Sequence, residues 1–537
     1  MDQKESMTVE FKSEAKNPIS DHELLDEVVG MANALGGVIY LGKEDDGTPT
    51  GASELHQDID GLRAMVVNKT IPSVFVDPQL KMEEGKVVVA IQVPIASQVV
   101  ATTQGKVVQR RMKANGTPEV VPFFPWEFSS RRSFLSEFDP SSMVISPLGL
   151  SDFDRPSLES LKEEMSRGST SDKTLLGLND EEFLLSLGLL QQDHEKTSMT
   201  LAGLLLLGKE KDLAKFAPGS MFVYQILRYG AVQKNEEIRE NIVMAFKRFG
   251  AFVDSFNLEE EMLVNMRRVG VPTFDPEGLR EAFANAVAHR DYARLGAVRV
   301  ILDEAGLTIA SPGSLIHGLQ TSNLLAAEPR GRNPLLSLAL KRIGYCEKTG
   351  RGVDKIFYGQ ARFGKAWPDY SGSDDGNVAV FFPKSEMDVL FARKMMELKE
   401  SLPLFSVLIL SWIRRNGIGT KEDLTAALGI SAERLEGYLI PLHARGLIEP
   451  LDLKGPWAIA NSFLSEAGTK EVPLDKLLEK TAYIAKRNNG IITNSILQSE
   501  LGLEASRSYY LLKKLCDQGK LKRIQSGKYA KYEWIHD

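Results

Sequence analysis

The sequence contains very little cysteine, with only Cys346 and Cys516 among 537 residues. Two thiols so far apart exclude a disulfide-stapled scaffold and a zinc site built from several thiolates. The seven histidines are scattered and show none of the spacings of a metal-binding cluster. Scarce cysteine is typical of a reducing compartment, so we expect a cytoplasmic protein.

Long apolar runs are also missing. The longest, at residues 201–207, is far shorter than the roughly 20 residues that cross a bilayer, so we expect no membrane partner. The first residues lack the apolar core of a signal peptide. A net charge of −7 excludes a protein that covers nucleic acid with a uniformly cationic surface, but it is compatible with local basic patches.

The remaining composition is ordinary, with 43% hydrophobic and 26% charged residues. A chain of this length exceeds what one hydrophobic core supports, so several domains are expected. Periodicity and turn-rich stretches predict a multidomain α/β protein that ends in two winged-helix units. The predicted segments are an α/β unit at 1–125, a connector at 126–180, a second α/β unit at 181–384, a linker helix at 385–403, and winged-helix units at 404–465 and 466–537.

The same patterns predict individual elements. Residues 21–35 have helical spacing, Ser20 is a candidate N-cap, and Gly36-Gly37 stops the helix before a buried strand at 38–41. In the second α/β unit we predict strands at 219–229 and 297–302 and helices at 236–254, 276–288 and 334–343.

The two C-terminal units share one order of elements. Each has a helix, a short helix that ends in Leu-Gly, a third helix and a candidate β-hairpin. This is the order of the winged helix-turn-helix, in which the third helix can enter the major groove of DNA.

The most informative segment is 281–292, which reads Glu-Ala-Phe-Ala-Asn-Ala-Val-Ala-His-Arg-Asp-Tyr. Glu281 and Asn285 are four residues apart, so a helix places both on one face. Such a pair can hold a hydrated Mg²⁺ and position a water molecule against a phosphate, although two satisfied polar residues on an ordinary helix look the same. Further along, Gly350-Arg351-Gly352 opens a helix, as glycine-rich phosphate loops do.

With Ser311-Pro312-Gly313 and Arg332-Asn333-Pro334, these stretches resemble the GHKL-type ATPase module that ends a family of bacterial transcriptional regulators, some of them described as helicase-related. The resemblance implies ATP with Mg²⁺ as the cofactor. The site residues it implies are Asn285 as the Mg²⁺ ligand, Glu281 as the base that positions water, and Gly313, Gly350 and Gly352 near the phosphates.

One feature of the GHKL pattern is missing. GHKL ATPases place an Asp before the first glycine motif, where it reads the adenine amino group. Here the corresponding stretch, Ile309 to Gly313, contains no acidic residue. The sequence therefore lacks the usual determinant of adenine specificity.

Residues 5–120 resemble the Schlafen-type AlbA-like domain. The residues that carry the resemblance are Glu5-Ser6, Glu10-Phe11-Lys12, Ala32-Asn33, Gly36-Gly37, the turn from Gly42 to Gly47 and Arg110-Arg111. In bacterial regulators this domain implies nucleic-acid binding, with Lys12, Arg110 and Arg111 as candidate contacts. The glycines also have a purely structural explanation, because a tight helix-to-strand reversal needs them.

The same resemblance supports a catalytic alternative. Eukaryotic relatives cleave RNA with two Glu and one Asp, and their Glu residues have the separation of Glu5 and Glu10. The implied catalytic residues are Glu5, Glu10 and Asp45 or Asp46, with Glu5 and Glu10 as ligands of a divalent metal. Solvated acidic residues at a strand edge would give the same pattern.

The last unit is basic. Residues 471–537 contain twelve Lys and Arg against eight Asp and Glu, a balance of +4, whereas residues 404–465 carry six of each sign. Cations give affinity through phosphates, and a residue early in the third helix can read a base edge. The candidate contacts are Arg507, Lys513, Lys514, Lys522, Arg523 and Lys528. The alternative is a winged helix used for protein contact or dimerisation.

Taken together, the residues and both resemblances favour a nucleotide-responsive, DNA-binding transcriptional regulator. DNA is preferred to RNA as its partner, and a homo-oligomer is expected. One alternative is a metal-dependent nuclease acting in phage defence. A second alternative is a scaffold whose ATPase fold is degenerate.

Overall fold

The computed structural model forms two compact units, Met1–Pro140 and Ser141–Asp537. Both units mix helices and sheets, which confirms the predicted multidomain α/β class. The structure describes residues 5–113, 116–135, 138–194, 196–264, 267–327, 331–347, 352–398, 400–451 and 456–464, and, toward the end, 481, 484–485, 488, 490–501, 505–517, 519–525 and 530–535.

The first unit is built on a four-stranded sheet of order β1-β2-β5-β4, in which only β1 and β2 run parallel. The strands of the whole unit are β1 (Val9–Lys12), β2 (Gly37–Leu41), β3 (Thr70–Ile71), β4 (Asp77–Glu83), β5 (Lys86–Val93), β6 (Ala101–Thr102), β7 (Val108–Met112) and β8 (Pro118–Pro122). Strands β3 and β6, and strands β7 and β8, form separate two-stranded sheets. Its helices are α1 (Asp21–Ala32), α2 (Ile59–Lys69) and α3 (Pro125–Phe134).

The connection between α1 and β2 follows the prediction. Ser20 caps α1 by accepting from the Glu23 amide, and Glu23 accepts from the Ser20 amide in return. At the other end, Gly37 has a φ of 143°, and a side chain there would collide with the carbonyl of Thr8. Glycine is therefore required where the chain passes close to β1.

The second unit contains a central five-stranded sheet of order β13-β12-β16-β17-β18. The described strands of the whole unit, within this sheet and outside it, are β9 (Val144–Ile145), β10 (Leu190–Asp193), β11 (Lys196–Thr200), β12 (Met221–Arg228), β13 (Ala231–Ile238), β14 (Glu259–Val264), β15 (Arg267–Pro272), β16 (Ala297–Leu302), β17 (Gly306–Pro312), β18 (Asn377–Pro383), β19 (Ile448–Pro450), β20 (Trp457–Ile459), β21 (Ile491–Thr493), β22 (Leu521–Gln525) and β23 (Lys531–Trp534).

The described helices of this unit cover the sheet and continue beyond it. They are α4 (Arg155–Arg167), α5 (Asp180–Ser186), α6 (Leu201–Leu207), α7 (Glu210–Phe216), α8 (Ile242–Asp254), α9 (Pro276–Ala288), α10 (Pro334–Ile343), α11 (Gly352–Ala361), α12 (Val389–Glu397), α13 (Leu404–Asn416), α14 (Lys421–Leu428), α15 (Ala432–Ala444), α16 (Asn461–Leu464), α17 (Asn494–Leu501) and α18 (Ala505–Asp517).

The predictions for helices 276–288 and 334–343 and for strand 297–302 are confirmed. The prediction of a helix over 236–254 is wrong at its start, because β13 runs to Ile238 and the helix begins only after its N-cap, Asn241. The polar side chains of β13 are mostly exposed along the edge of the sheet, so its sequence lacks the alternation that marks a half-buried strand.

Two helical units follow the central sheet. In the first helical unit, α13, α14 and α15 precede the antiparallel pair β19-β20, and its core is continuous with that of the central sheet. In the second, α17 and α18 pack on the sheet β21-β23-β22 around a separate core. Among the described residues, no helix is both long and apolar enough to cross a bilayer.

Candidate nucleotide site

Helix α9 presents the Glu281 and Asn285 pair. Asp275 caps its N-terminus by accepting from the Gly278 amide at 2.8 Å, and Pro276 occupies the first turn, where its missing amide proton is not needed. The apolar face of the helix is buried in the core. The adjoining face turns Glu281 and Asn285 toward a cavity, as their spacing of four residues requires.

The cavity has a volume of about 760 Å³. It brings together four of the five site residues predicted for the nucleotide, which are Glu281, Asn285, Gly313 and Gly352. Gly350 lies outside the described residues. Charged side chains in the wall are Glu281, Glu347, Asp354, Lys341 and Arg434.

Glu281 is buried, with 2% of its surface exposed. Burial raises the pKa of its carboxyl, although the amide of Glu347 donates to it at 3.2 Å and favours the charged form. A carboxyl with a raised pKa is better matched to proton transfer near neutral pH than an ordinary one. The geometry and the pKa of Glu281 are therefore suited to a general base.

Asn285 is half-buried, and within the described residues its side-chain amide has no hydrogen-bond partner. No group of three or more His, Cys, Asp or Glu suited to a metal occurs in the part of the chain that the structure describes. An Mg²⁺ held by one amide oxygen, ligand phosphates and water needs no such group, since Mg²⁺ commonly keeps several waters. Asn285 fits that kind of site.

The walls of the cavity are held by residues whose roles the sequence did not reveal. The Asn333 amide donates to the carbonyls of Ala288 and Arg290 at 2.9 and 2.8 Å, which ties α10 to the end of α9. Arg332 donates to the carbonyl of Ser314 at 2.9 Å and lies 3.6 Å from the Asp291 carboxylate. These motif residues position the loops, and the periodicity of the sequence carries no signal for such contacts.

Ser311 occupies the region where GHKL ATPases carry their adenine-reading acid. Its hydroxyl donates to the carbonyl of Ala286 at 2.5 Å, so this side chain braces α9 against β17. Gly313 follows with a φ of 118°, and a side chain there would come within 2.9 Å of Asp291. The segment is thus shaped for a close backbone approach.

His289 also borders the cavity. Desolvation of the imidazole, together with the positive charges of Arg332 and Lys341, lowers its pKa to about 4. The ring nevertheless remains accessible from the cavity. A neutral imidazole at this position can exchange hydrogen bonds with a ligand at physiological pH.

The acidic residues near the N-terminus lie in a charge network. Glu10 is 5% exposed, and its two carboxylate oxygens contact the Lys12 ammonium, at 2.6 Å, and the Arg110 guanidinium. Both cations also contact Glu27, at 2.8 and 3.3 Å. Two negative and two positive side chains therefore balance, and each oxygen of Glu10 already contacts a cation.

Glu5 is half-buried near this network, and Asp45 is exposed. The Phe11 amide donates to Glu5 at 3.2 Å, and burial, followed by Glu10 and Asp45, raises the pKa of the Glu5 carboxyl. Asp46 accepts from the Thr48 amide at 2.9 Å in the adjoining turn. Glu5, Glu10 and Asp45 are thus near enough to interact electrostatically.

The predicted basic contacts of the first unit have different environments. Arg110 is 2% exposed and donates to the carbonyls of Ser6 and Val9, so it fastens β1 and is not available to a phosphate. Arg111 is partly exposed and pairs with Glu127. The Lys12 ammonium is engaged by the network of Glu10 and Glu27.

The basic residues of the last unit are partly described. Lys522 and Arg523 are exposed on β22, whereas Lys513 and Lys514 are half-buried on α18. The side chain of Arg507 and all of Lys528 lie outside the described residues.

Comparison with known proteins agrees with both resemblances. Residues 5–118 match the family "Schlafen, AlbA_2", and residues 296–382 match "Putative ATP-dependent DNA helicase recG C-terminal", an ATPase-like domain. The chain therefore contains these two domains. A domain of unknown function matches residues 131–223 and includes most of the predicted connector. Helix α9, with Glu281 and Asn285, precedes the second match.

A solved structure shows the same fold over much of the chain. It is the DIP2311 protein of Corynebacterium diphtheriae, which is 22% identical and has a TM-score of 0.50. The alignment covers 85% of this chain and 92% of that one. No curated protein matches the chain.

Proposed function

We propose that this protein binds ATP with Mg²⁺ in the cavity beside α9 and uses the nucleotide to control its binding of nucleic acid. One observation carries the proposal. The cavity combines a buried carboxyl of raised pKa, Glu281, with the unpartnered amide of Asn285 and the glycine that starts α11, Gly352. Nucleotide hydrolysis requires a general base, a metal ligand and backbone amides that are accessible to the phosphates.

Each residue has a distinct role in this proposal. Asn285 ligates Mg²⁺, which would neutralise charge on the phosphates, and Glu281 positions the attacking water. The first turn of α11 offers backbone amides to the phosphate chain. Ser311 lies where GHKL ATPases carry an acid that reads adenine. The nucleobase is therefore recognised mainly by the shape of the cavity, and we expect modest selectivity for adenine.

The proposed nucleic-acid partner is DNA, and the proposed role is transcriptional regulation. The Schlafen AlbA_2 domain supports an association with nucleic acid, and the "DNA helicase" description of the second family agrees with DNA. The order of α13, α14, α15 and β19-β20 supports a winged-helix interpretation of the first helical unit. Exposed Lys522 and Arg523 give the second helical unit cations for phosphate contact.

Nuclease activity in the first unit is the competing function. The proximity of Glu5, Glu10 and Asp45 favours it, since clustered carboxylates can bind a divalent metal. The pairing of both Glu10 oxygens with Lys12 and Arg110 opposes it, because a metal at Glu10 would compete with and be repelled by two cations. Binding without cleavage is therefore the better supported function of this domain.

Two measurements on the full chain test these proposals. Calorimetry with ATP and ADP in Mg²⁺ should show binding, and absence of binding at millimolar nucleotide would refute a nucleotide-controlled protein. Labelled tRNA, single-stranded DNA and duplex DNA are then incubated with Mg²⁺ or Mn²⁺. Retention of duplex without cleavage supports the regulator, whereas cleavage that is lost in Glu5→Gln/Glu10→Gln assigns a nuclease.

A further inference from the structure

One wall of the cavity comes from the first helical unit, which lies outside the family-matched segment 296–382. Arg434 and Tyr438 of α15 both line the cavity. They are four residues apart, so they lie on one face of that helix. The face of α15 that carries them is therefore directed at the candidate nucleotide site.

The Arg434 side chain is held against an aromatic ring, and no described carboxylate neutralises its charge. Its guanidinium lies 4.9 Å from the centre of the Phe405 ring, and that ring packs against Tyr438 with centres 5.3 Å apart. Within the described residues, no carboxylate pairs with Arg434. An arginine supported by an aromatic face keeps its donors for an anion, and its planar fork suits phosphate.

The helical unit is attached to the rim of the cavity at several points. The first residues of α11 and α13 both line the cavity, and the two helices pack on each other. The Trp367 indole donates to the Ser411 hydroxyl at 3.1 Å. Gly429 lies so close to the carbonyl of Ser322 that a side chain there would collide with it. These contacts hold α15 in place beside the site.

We propose that Arg434 binds the phosphate chain of a nucleotide in the cavity and makes the first helical unit a sensor of nucleotide occupancy. The inference rests on the proposed function. It adds a phosphate contact from outside the ATPase-like domain. It also explains how occupancy could reach α15, the helix that a winged-helix unit would offer to DNA.

The test is calorimetry on the full chain with ATP and with adenosine, which has no phosphate. Arg434→Gln keeps a long side chain on the helix and removes the charge. We expect ATP to bind about tenfold more weakly to this variant, a loss typical of one charged hydrogen bond, and adenosine binding to be unchanged. Arg434→Lys should recover part of the ATP affinity.

The matched control is Arg445→Gln, at the other end of α15, where Arg445 contacts Glu400 at 3.2 Å and does not line the cavity. This control should bind ATP as the wild type does, and both variants should melt at the wild-type temperature. Wild-type ATP affinity in Arg434→Gln would overturn the inference and leave the proposed function standing. No ATP binding by the wild type itself would overturn both.

Discussion

The Glu281 carboxylate occupies the space that a side chain at position 352 would need, so any side chain there would displace the proposed base. Helices α9 and α11 pack tightly enough to bring the two residues together. A similar contact recurs at Gly278, whose missing side chain would face the backbone of Ile356 at 3.4 Å. The close packing of these helices fixes the base relative to the first turn of α11.

The first prediction concerns this contact. Gly352→Ala should displace the Glu281 carboxylate, which is the flexible end of its side chain, and should abolish hydrolysis with little loss of stability. The control is Gly437→Ala, which meets open space on α15 and should stabilise by up to about 1 kcal/mol through helix propensity. ATPase rates and thermal melts would decide, and a fully active Gly352→Ala enzyme would contradict the proposed placement of the base.

The second prediction separates binding from chemistry. Asn285→Ala should abolish Mg²⁺-dependent ATP binding, because it removes the proposed metal ligand without breaking a described hydrogen bond. Glu281→Gln should retain binding and lose hydrolysis, since the amide keeps the shape but cannot accept the proton. Calorimetry and phosphate release measure the two effects. If both variants lose binding equally, the assigned division of roles is wrong.

The third prediction follows from His289. The folded state lowers the pKa of its imidazole from 6.5 to about 4. Between these values the unfolded chain binds a proton that the folded chain does not, so stability falls as pH falls from about 6.5 toward 4. Denaturant unfolding of His289→Asn should therefore show a smaller loss over this range than the wild type. An equal loss in both proteins would show that His289 titrates normally.

The fourth prediction tests the charge network of the first unit. Arg110→Met leaves Glu10 and Glu27 with only Lys12, and breaking a buried pair typically costs roughly 3–5 kcal/mol. We expect the lower end because Lys12 remains. Lys113→Met is the control, since its exposed pair with Glu119 should contribute less than about 1 kcal/mol. If both variants have similar unfolding free energies, Arg110 contributes no more to stability than an exposed ion pair does.

Sequence patterns predicted the helix of the candidate site but not the way its walls are held. The run from 276 to 288 carries a cap, a proline and apolar spacing, all of which are local signals. The contacts of Asn333 and Arg332 join segments more than 15 residues apart, and periodicity does not encode them. The AlbA-like resemblance implied that Arg110 contacts nucleic acid, but its backbone acceptors lie about 100 residues earlier, near β1.

The contribution of the first helical unit to the cavity could not be predicted from the sequence either. A pattern of helices identifies a unit, but it does not reveal which face meets another segment. In the sequence, Arg434 is one cation near the start of a helix. Only the folded structure shows that α13 and the loop before α10 line the same cavity. Local order could therefore be predicted, whereas the composition of the site depends on packing between distant segments.

The last prediction concerns duplex DNA and the second helical unit. Lys522 is exposed on β22 and lies opposite Glu533 in the sheet. Lys522→Ala should weaken binding to all duplex sequences alike and reduce the salt dependence by about one phosphate contact, because phosphate contacts carry no sequence information. Glu533→Gln should have the opposite effect on affinity, since it removes a negative charge beside the same phosphate.

Arg507 provides the contrast, because a residue near the start of α18 can reach a base edge. Arg507→Ala should flatten sequence preference, at roughly 1–3 kcal/mol for one bidentate contact with guanine, whereas Lys528→Ala should act as Lys522→Ala does. Fluorescence anisotropy with duplexes at several salt concentrations measures both slopes and preferences. If Lys522→Ala and Glu533→Gln leave affinity and salt slope unchanged, the second helical unit makes protein contacts, and the Schlafen AlbA_2 domain must hold the DNA.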